Sequence, residues 1–272
     1  MRIHLSDITI NYEDTDTKLT KSQPAILFIH GYPLSRKMWK PQLSGLAGSA
    51  RLLMPDLRGF GESDATSGPY SMELLADDCL TFLDRLGINE PVIVCGLSMG
   101  GYIAFSLYRK YYRRVKGLIL AATRAAADSL EAKTNRDKAI ALAEKGGVEA
   151  IARLMLPKML SSRTFNSRPE VVEFVRSILL SVSVPGITGV LAGMRDRPDS
   201  TSLLAQIDVP TLLIYGEEDQ FASRLEVETM RDSIKDVSLH WLPDAGHLPN
   251  LEQPAIFNSL VQEYLAAFPE HR

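Results

Sequence analysis

Short, continuous apolar runs recur along this chain and constrain its fold more than any other feature. A strand that is covered by helices on both faces is apolar throughout, whereas a half-exposed strand alternates in polarity. Helical patterns lie between several of the runs, and this alternation of strands and helices predicts an α/β fold with a largely parallel sheet. The strong runs cover residues 25–29, 52–54, 92–95, 118–120 and 212–215, and a weaker one covers 237–242.

Other periodic stretches extend this prediction. The first dozen residues alternate in polarity, which is typical of an antiparallel hairpin with a turn near Ser6 and Asp7. Apolar residues at helical spacing predict a helix over 71–86, where Ser71 can cap the start and Gly87 the end. A closing amphipathic helix is predicted from Pro254 onward. The central sheet is therefore expected to be flanked by helices.

The alternation stops between about residues 124 and 205. Helical patterns lie near 128–145, 147–160, 169–182 and 186–195, with no convincing strand among them. Ligands of open parallel sheets bind beyond the carboxyl ends of the strands, so an insertion leaving from such an end can cover the site. We therefore predict one α/β core, formed by 1–123 and 206–272, and an all-helical cap, or lid, formed by 124–205.

Composition and charge exclude several classes of protein. Lys and Arg total 30 against 33 Asp and Glu, a net charge of -3, so neither nucleic acid nor a membrane is expected as a partner. The amino terminus lacks a secretion signal, and no segment has the roughly 20 apolar residues of a membrane helix. Cys79 and Cys95 lie in apolar segments without metal-site or redox spacing, so both are predicted to be reduced and buried. We expect a cytoplasmic, globular protein.

The run Gly96-Leu97-Ser98-Met99-Gly100 follows one predicted strand directly and precedes a helical pattern. A very tight turn between a strand and a helix holds a serine in a strained backbone conformation with its hydroxyl exposed. Small residues two positions before and after the serine avoid clashes in such a turn. A serine between glycines is more often an ordinary turn, but this context makes Ser98 the candidate nucleophile.

A serine hydroxyl needs a base, and a histidine base needs a carboxylate to orient it. His247 lies in a loop just after the last predicted strand and is the candidate base. Three acids, Glu217, Glu218 and Asp219, follow the run at 212–215. The residues themselves leave the choice within this trio open. The order serine, acid, histidine along the chain fits nucleophilic catalysis on a parallel sheet.

Two backbone amides are candidates for binding the oxyanion that forms when a carbonyl is attacked. One belongs to Met99, next to the candidate nucleophile, and the other to Tyr32 in the loop His30-Gly31-Tyr32-Pro33 after an earlier strand. A simple strand-ending turn is the alternative interpretation of that loop.

Five segments together resemble the α/β-hydrolase superfamily over nearly the whole chain: HGYPLSRKMW, MPDLRGFGESD, GLSMGG, GEEDQ and GHLPNLEQP. Within it the chain looks like small bacterial carboxylesterases, 3-oxoadipate enol-lactonases and cofactor-free haloperoxidase-like enzymes. The resemblance implies the α/β-hydrolase fold and selects Asp219 as the acid of the triad. Haloalkane dehalogenases and epoxide hydrolases carry aspartate where this chain has Ser98, and dienelactone hydrolases carry cysteine, so these groups are disfavoured.

The resemblance implies a serine hydrolase that cleaves small to medium carboxylic esters or lactones through an acyl-enzyme intermediate, without cofactor or metal. Its partner would be a small-molecule ester or lactone, and no particular oligomeric state is predicted. Enol-lactonase or perhydrolase activity at the same site is an alternative. A weakly catalytic ligand-binding protein of the same fold is another, because fold alone does not fix function.

Substrate-binding residues are expected where the cap begins and along its helices. Arg124 leaves the carboxyl end of a strand at that point; a solvated or helix-capping arginine is its ordinary interpretation, and pairing with a substrate carboxylate is the functional one. Apolar side chains of the cap fit an acyl pocket and internal cap packing equally well. They are Met155 and Leu156, together with Leu154, Met159, Leu160 and Phe165.

Overall fold

A central sheet of eight strands organises the protein in the computed structural model, which describes residues 1–15 and 24–268. The strand order across the sheet is β1-β2-β4-β3-β5-β6-β7-β8. The strands are β1 (Arg2–His4), β2 (Thr9–Asp14), β3 (Ala25–Ile29), β4 (Arg51–Pro55), β5 (Val92–Leu97), β6 (Val115–Ala121), β7 (Thr211–Gly216) and β8 (Val237–Leu242).

Strands β3 to β8 are parallel, whereas β1 and β2 form an antiparallel hairpin and β2 pairs antiparallel with β4. The continuous apolar runs predicted this arrangement, because β3, β5 and β7 are buried along nearly their whole length. The predicted α/β-hydrolase fold is confirmed. Parallel strands end at one edge of the sheet, so the loops after β3, β5, β7 and β8 all leave from that edge.

Helices cover both faces of the sheet. Ser71 caps α2 as predicted, since its hydroxyl accepts a hydrogen bond from the amide of Leu74 at 3.1 Å. The helices are α1 (Lys40–Gly45), α2 (Met72–Arg85), α3 (Met99–Tyr111), α4 (Leu130–Met159), α5 (Ser162–Ser167), α6 (Pro169–Leu179), α7 (Val184–Arg195), α8 (Thr201–Leu204), α9 (Arg224–Ser233), α10 (Pro249–Glu252) and α11 (Pro254–Ala266).

Helices α4 to α7, here called the cap helices, follow β6 and precede α8 and β7. Two predicted helices, 128–145 and 147–160, form the two halves of α4, which is kinked where Gly147 has φ 66° and ψ -167°. The short helix α5 was not predicted. A Cβ on Gly193 of α7 would lie 1.7 Å from the carbonyl oxygen of Tyr70, so this helix packs against core backbone. The exact division into core and cap stays a prediction.

The apolar side chains form two clusters, one on each side of the sheet. Cys79 and Cys95 lie in these clusters as free, buried thiols, and burial raises the pKa of both. Among the described residues, no single helix is long and apolar enough to cross a membrane. Only α6 and α7 taken together, bent by 91° at their break, reach that length and apolarity.

Candidate active site

Ser98 lies at the junction between β5 and α3 with φ 56° and ψ -114°, a backbone conformation that residues other than glycine rarely adopt. The turn is tight enough to exclude larger neighbours. A Cβ on Gly96 would lie 2.3 Å from the carbonyl oxygen of Gly100, and a Cβ on Gly100 would lie 2.1 Å from that of Ile29. The two glycines of the motif therefore permit the turn that carries Ser98.

Hydrogen bonds hold this strained turn. The Ser98 amide donates to the carbonyl of Ala121 at 2.9 Å, and the Ser98 carbonyl accepts from the Thr123 hydroxyl at 2.7 Å. Tyr215 in turn donates its hydroxyl proton to the carbonyl of Thr123 at 2.7 Å. Sequence reasoning did not single out Thr123 or Tyr215. Only their positions mark them in the sequence: Thr123 lies two residues after β6, and Tyr215 lies near the end of β7.

Replacing Gly100 with alanine is expected to destabilise the protein by about 3 kcal/mol, because its new methyl group would meet backbone that cannot rotate away. Gly87→Ala is a matched control. Gly87 has φ 70°, and no atom lies within 4 Å of the place where a Cβ would stand, so its replacement costs backbone strain alone, about 1 kcal/mol. Urea denaturation measures both losses, and equal losses would contradict the steric account.

His247 and Asp219 form a buried pair. The Nδ1 atom of His247 lies 2.9 Å from Oδ1 and 3.1 Å from Oδ2 of Asp219, and the two side chains are 3% and 1% exposed. With its proton on Nδ1, the ring donates to the carboxylate and keeps Nε2 free to accept a proton. The Asp219 carboxylate also accepts from the amide of Phe221 at 2.8 Å, which fixes its orientation.

The other two acids of the loop point elsewhere. Glu218 is exposed and its carboxylate accepts hydrogen bonds from the amide and hydroxyl of Ser162, at 2.9 and 2.8 Å. Glu217 is exposed. Of the three acids, Asp219 is the one that contacts His247.

The loop after β3 adjoins the candidate nucleophile. A Cβ on Gly31 would lie 3.4 Å from the Cβ of Ser98, so the loop passes beside the turn. Within residues 1–15 and 24–268, neither the amide of Tyr32 nor that of Met99 donates a hydrogen bond to a protein acceptor. Both amides predicted as oxyanion donors are therefore available beside Ser98.

Ser98 and His247 line one cavity of about 310 Å³, to which the cap helices α4 and α7 also contribute side chains. Of the predicted acyl-pocket residues, Leu154 and Met155 contribute to its lining. Leu156 packs against an apolar cluster instead, Met159 and Leu160 are buried, and Phe165 is 41% exposed. The lining comprises Tyr32, Ser98, Tyr102, Arg124, Ala132, Asn135, Arg136, Ala139, Leu154, Met155, Lys158, Leu191, Met194, Gln220, Phe221 and His247.

One wall of this cavity carries positive charge. Arg124, Arg136 and Lys158 line it, and the buried carboxylate of Asp128 lies behind them. Asp128 accepts from Arg124 at 3.0 Å, from Arg136 at 3.1 Å and from Arg197 at 2.5 Å. Burial alone would raise the pKa of Asp128, but Arg136 and Arg197 lower it below its usual range. One carboxylate thus orders three arginines, of which only Arg124 was singled out from the sequence.

Two polar atoms of residues that line the cavity have no partner in the described part of the chain. They are the hydroxyl of Tyr32, whose side chain is buried, and the Nε atom of Arg124. Burial raises the pKa of Tyr32, so its hydroxyl keeps its proton and is a donor. Both atoms are inaccessible from the cavity, and such buried atoms also occur away from it, as at Ser35 Oγ and Trp39 Nε1, so they do not by themselves indicate a ligand.

Metal ligation requires several donor side chains at one place. In the ranges that the structure describes, no group of three or more His, Cys, Asp or Glu side chains is arranged to hold a metal ion.

Comparison with known proteins identifies the family. The sequence model of the alpha/beta hydrolase family matches residues 26–260, so the chain belongs to this family, as its motifs predicted. The structure of a thermophilic esterase from Thermogutta terrifontis, with malate bound, superposes with a TM-score of 0.93 at 39% identity and covers 98% of each chain.

Two curated relatives match over most of their length. A 3-oxoadipate enol-lactonase from Acinetobacter baylyi is 27% identical over 96% of this chain and 95% of its own. A putative 2-succinyl-6-hydroxy-2,4-cyclohexadiene-1-carboxylate synthase from Bacillus subtilis is 30% identical over 89% and 90%. The prediction of a hydrolase acting on ester bonds is confirmed at the level of enzyme class.

Proposed function

We propose that this protein hydrolyses carboxylic esters or lactones with Ser98 as nucleophile, His247 as general base and acid, and Asp219 as the residue that orients His247. The observation that carries the proposal is the buried contact between Asp219 and His247 beside the cavity that also contains Ser98. A serine, a histidine and a carboxylate with these roles are sufficient for acyl transfer to water.

Acylation begins when Nε2 of His247 takes the hydroxyl proton and the Ser98 oxygen attacks the carbonyl carbon. The negative charge that develops on the carbonyl oxygen is stabilised by the amides of Tyr32 and Met99. Collapse breaks the bond to the alcohol oxygen, which receives the proton from His247. A water molecule then gives a proton to Nε2 and attacks the acyl carbon, and Ser98 leaves with that proton.

The relatives support both kinds of substrate, since one is named an esterase and another an enol-lactonase. The two reactions differ only in whether the alcohol leaves or stays tethered to the acyl group. A panel of p-nitrophenyl esters and simple lactones separates them by rate. Repeating the esters with hydrogen peroxide and detecting peracid tests perhydrolysis, in which peroxide replaces water. No turnover of any compound would refute the proposal.

We propose further that the substrate carries a carboxylate at a distance from the reacting carbonyl. Arg124, Arg136 and Lys158 place positive charge on the cavity wall. A carboxylate carries the complementary charge and accepts hydrogen bonds from arginine and lysine side chains. The structure of the Thermogutta esterase contains malate, which is itself a carboxylate.

Replacing Arg136 with glutamine is expected to lower kcat/KM for a carboxylate-bearing ester by about 10- to 100-fold, the usual weight of a charge-assisted hydrogen bond. The neutral ester of equal length should change much less. Arg153→Gln is the matched control, because Arg153 is exposed on the same helix and lies outside the cavity lining. If Arg136→Gln lowered kcat/KM equally for the charged and the neutral ester, the proposed carboxylate site would be wrong.

A further inference from the structure

Glu252, at the end of α10, is a buried carboxylate that makes no ion pair with any described residue. Its side chain accepts hydrogen bonds from backbone amides instead. One oxygen accepts from Gly246 at 2.8 Å and more weakly from Leu248 at 3.4 Å, and the other accepts from Ser161 at 2.7 Å. Burial raises the pKa of Glu252, and the hydrogen bonds oppose that effect.

The three amides belong to two parts of the chain that meet at the active site. Gly246 and Leu248 are the residues on either side of His247. Ser161 lies between the cap helices α4 and α5. The two backbones touch here, because a Cβ on Gly246 would lie 2.8 Å from the amide nitrogen of Ser161. The amide of His247 itself donates to the carbonyl of Met159 at 3.0 Å.

We propose that Glu252 is a positioning residue for His247. Its carboxylate accepts hydrogen bonds from the amides on both sides of the histidine and connects that loop to the cap segment 159–161. The inference rests on the proposed role of His247 as base. The cap then has a second role besides lining the cavity, because its backbone helps to fix the position of the imidazole.

The chemistry of the side chain favours this role over simple packing. Burying an unpaired carboxylate costs free energy, whereas an apolar residue of similar size would avoid that cost and leave the amides unsatisfied. Only a carboxylate offers two oxygens that both accept and neither donates. A glutamine keeps the shape but turns an NH₂ group toward either the His247 loop or the cap, so one of the two attachments is lost.

Glu252→Gln is expected to lower kcat by about 10- to 100-fold, because a displacement of about 1 Å at a reacting group has that effect. KM should change by less than the factor for kcat, since Glu252 is not among the residues lining the cavity. The downfield proton resonance of the imidazole Nδ1, which reports the contact with Asp219, should shift or broaden. Glu252→Asp, which keeps the charge but shortens the reach, should lie between wild type and Glu252→Gln in both measurements.

Glu218→Gln is the matched control. Glu218 also bonds the cap, at Ser162, but contacts neither amide beside His247. The Glu218→Gln substitution should leave kcat and the imidazole resonance unchanged. Folded Glu252→Gln and Glu252→Asp proteins with wild-type kcat and resonance would overturn the inference, and so would equal effects of Glu218→Gln. If Glu252→Gln does not fold, Glu252→Asp decides. If the wild type itself showed no turnover that depends on Ser98, the proposed function would be refuted. The imidazole resonance would then still test whether Glu252 positions the His247 loop.

Discussion

Ser98→Ala is expected to lower kcat for ester hydrolysis by on the order of 10⁶-fold, the scale found when the serine of a complete triad is removed. Without the hydroxyl no acyl-enzyme can form at this residue, and the proposed oxyanion amides would supply the remaining rate. KM should change little, since the cavity keeps its other walls. Steady-state hydrolysis of the best ester from the substrate panel measures the loss.

The fold of this variant should be intact, because alanine occupies the strained position with the same backbone demands as serine. Ser129→Ala serves as a control. Ser129 caps α4 on the exposed surface of the cap helices, so its loss should affect stability and not kcat. Removal of the triad serine should cost far more than a factor of about 100 in kcat. If Ser98→Ala retains about 1% or more of the wild-type activity, Ser98 is therefore not the nucleophile.

Asp219→Asn is expected to lower kcat by about 10⁴-fold, since an amide in place of the carboxylate turns the imidazole to the wrong tautomer. The side chain keeps its size, and the change is confined to the charge and to the hydrogen-bonding groups that face Nδ1 of His247. Tautomer and orientation of His247 are therefore what this substitution changes. The loss should appear in kcat measured on the same ester, with circular dichroism confirming the fold.

Glu217→Gln is the matched control for that variant. It neutralises an acid two positions away that is exposed to solvent, so its activity should stay within about 2-fold of wild type, as surface changes of small energy do. A large loss in Glu217→Gln together with an active Asp219→Asn protein would move the role of orienting acid from one residue to the other.

Much of the core could be predicted because its strands are buried on both faces. The predicted strands at 25–29 and 237–242 have the bounds that the structure shows. The start of helix α2 was predictable from the single N-capping side chain of Ser71. The helix α5 was missed because six residues give too little periodicity to detect. The two halves of α4 read as separate helices because Gly147 interrupts the pattern.

The candidate site was predictable where function is tied to the end of a strand. The turn with Ser98 and the loops with Asp219 and His247 each follow an apolar run, and a parallel sheet brings such loops together. Choosing Asp219 from its trio needed a resemblance, because only the fold determines which acid reaches Nδ1 of His247. Arg124 is neither of the ordinary arginines that the sequence suggests, a solvated or a helix-capping one: its guanidinium pairs with Asp128 and Glu226 and lines the cavity. Pairing with a substrate carboxylate stays a prediction.

Other residues of the site carry no local signal. Arg136 lies on α4 among many charged residues, where a solvated arginine is the ordinary expectation, and only the tertiary fold places it on the cavity wall. Phe221 places its ring 4.4 Å from that of His247, a contact between segments that are far apart in sequence. Glu252 looks like a surface acid in a short helix, yet it is 2% exposed. Contacts of this kind depend on tertiary packing rather than on spacing.

The most direct test of the account is labelling with a fluorophosphonate, which reacts with a serine only when that serine is activated by a base. Intact-mass spectrometry of the wild type should show one adduct per chain, and peptide mapping should place it on Ser98. Ser98→Ala should take up no label, and Asp219→Asn should react far more slowly than the wild type. An unlabelled wild-type protein, or an adduct on any other residue, would contradict the central claim that Ser98 is an activated nucleophile.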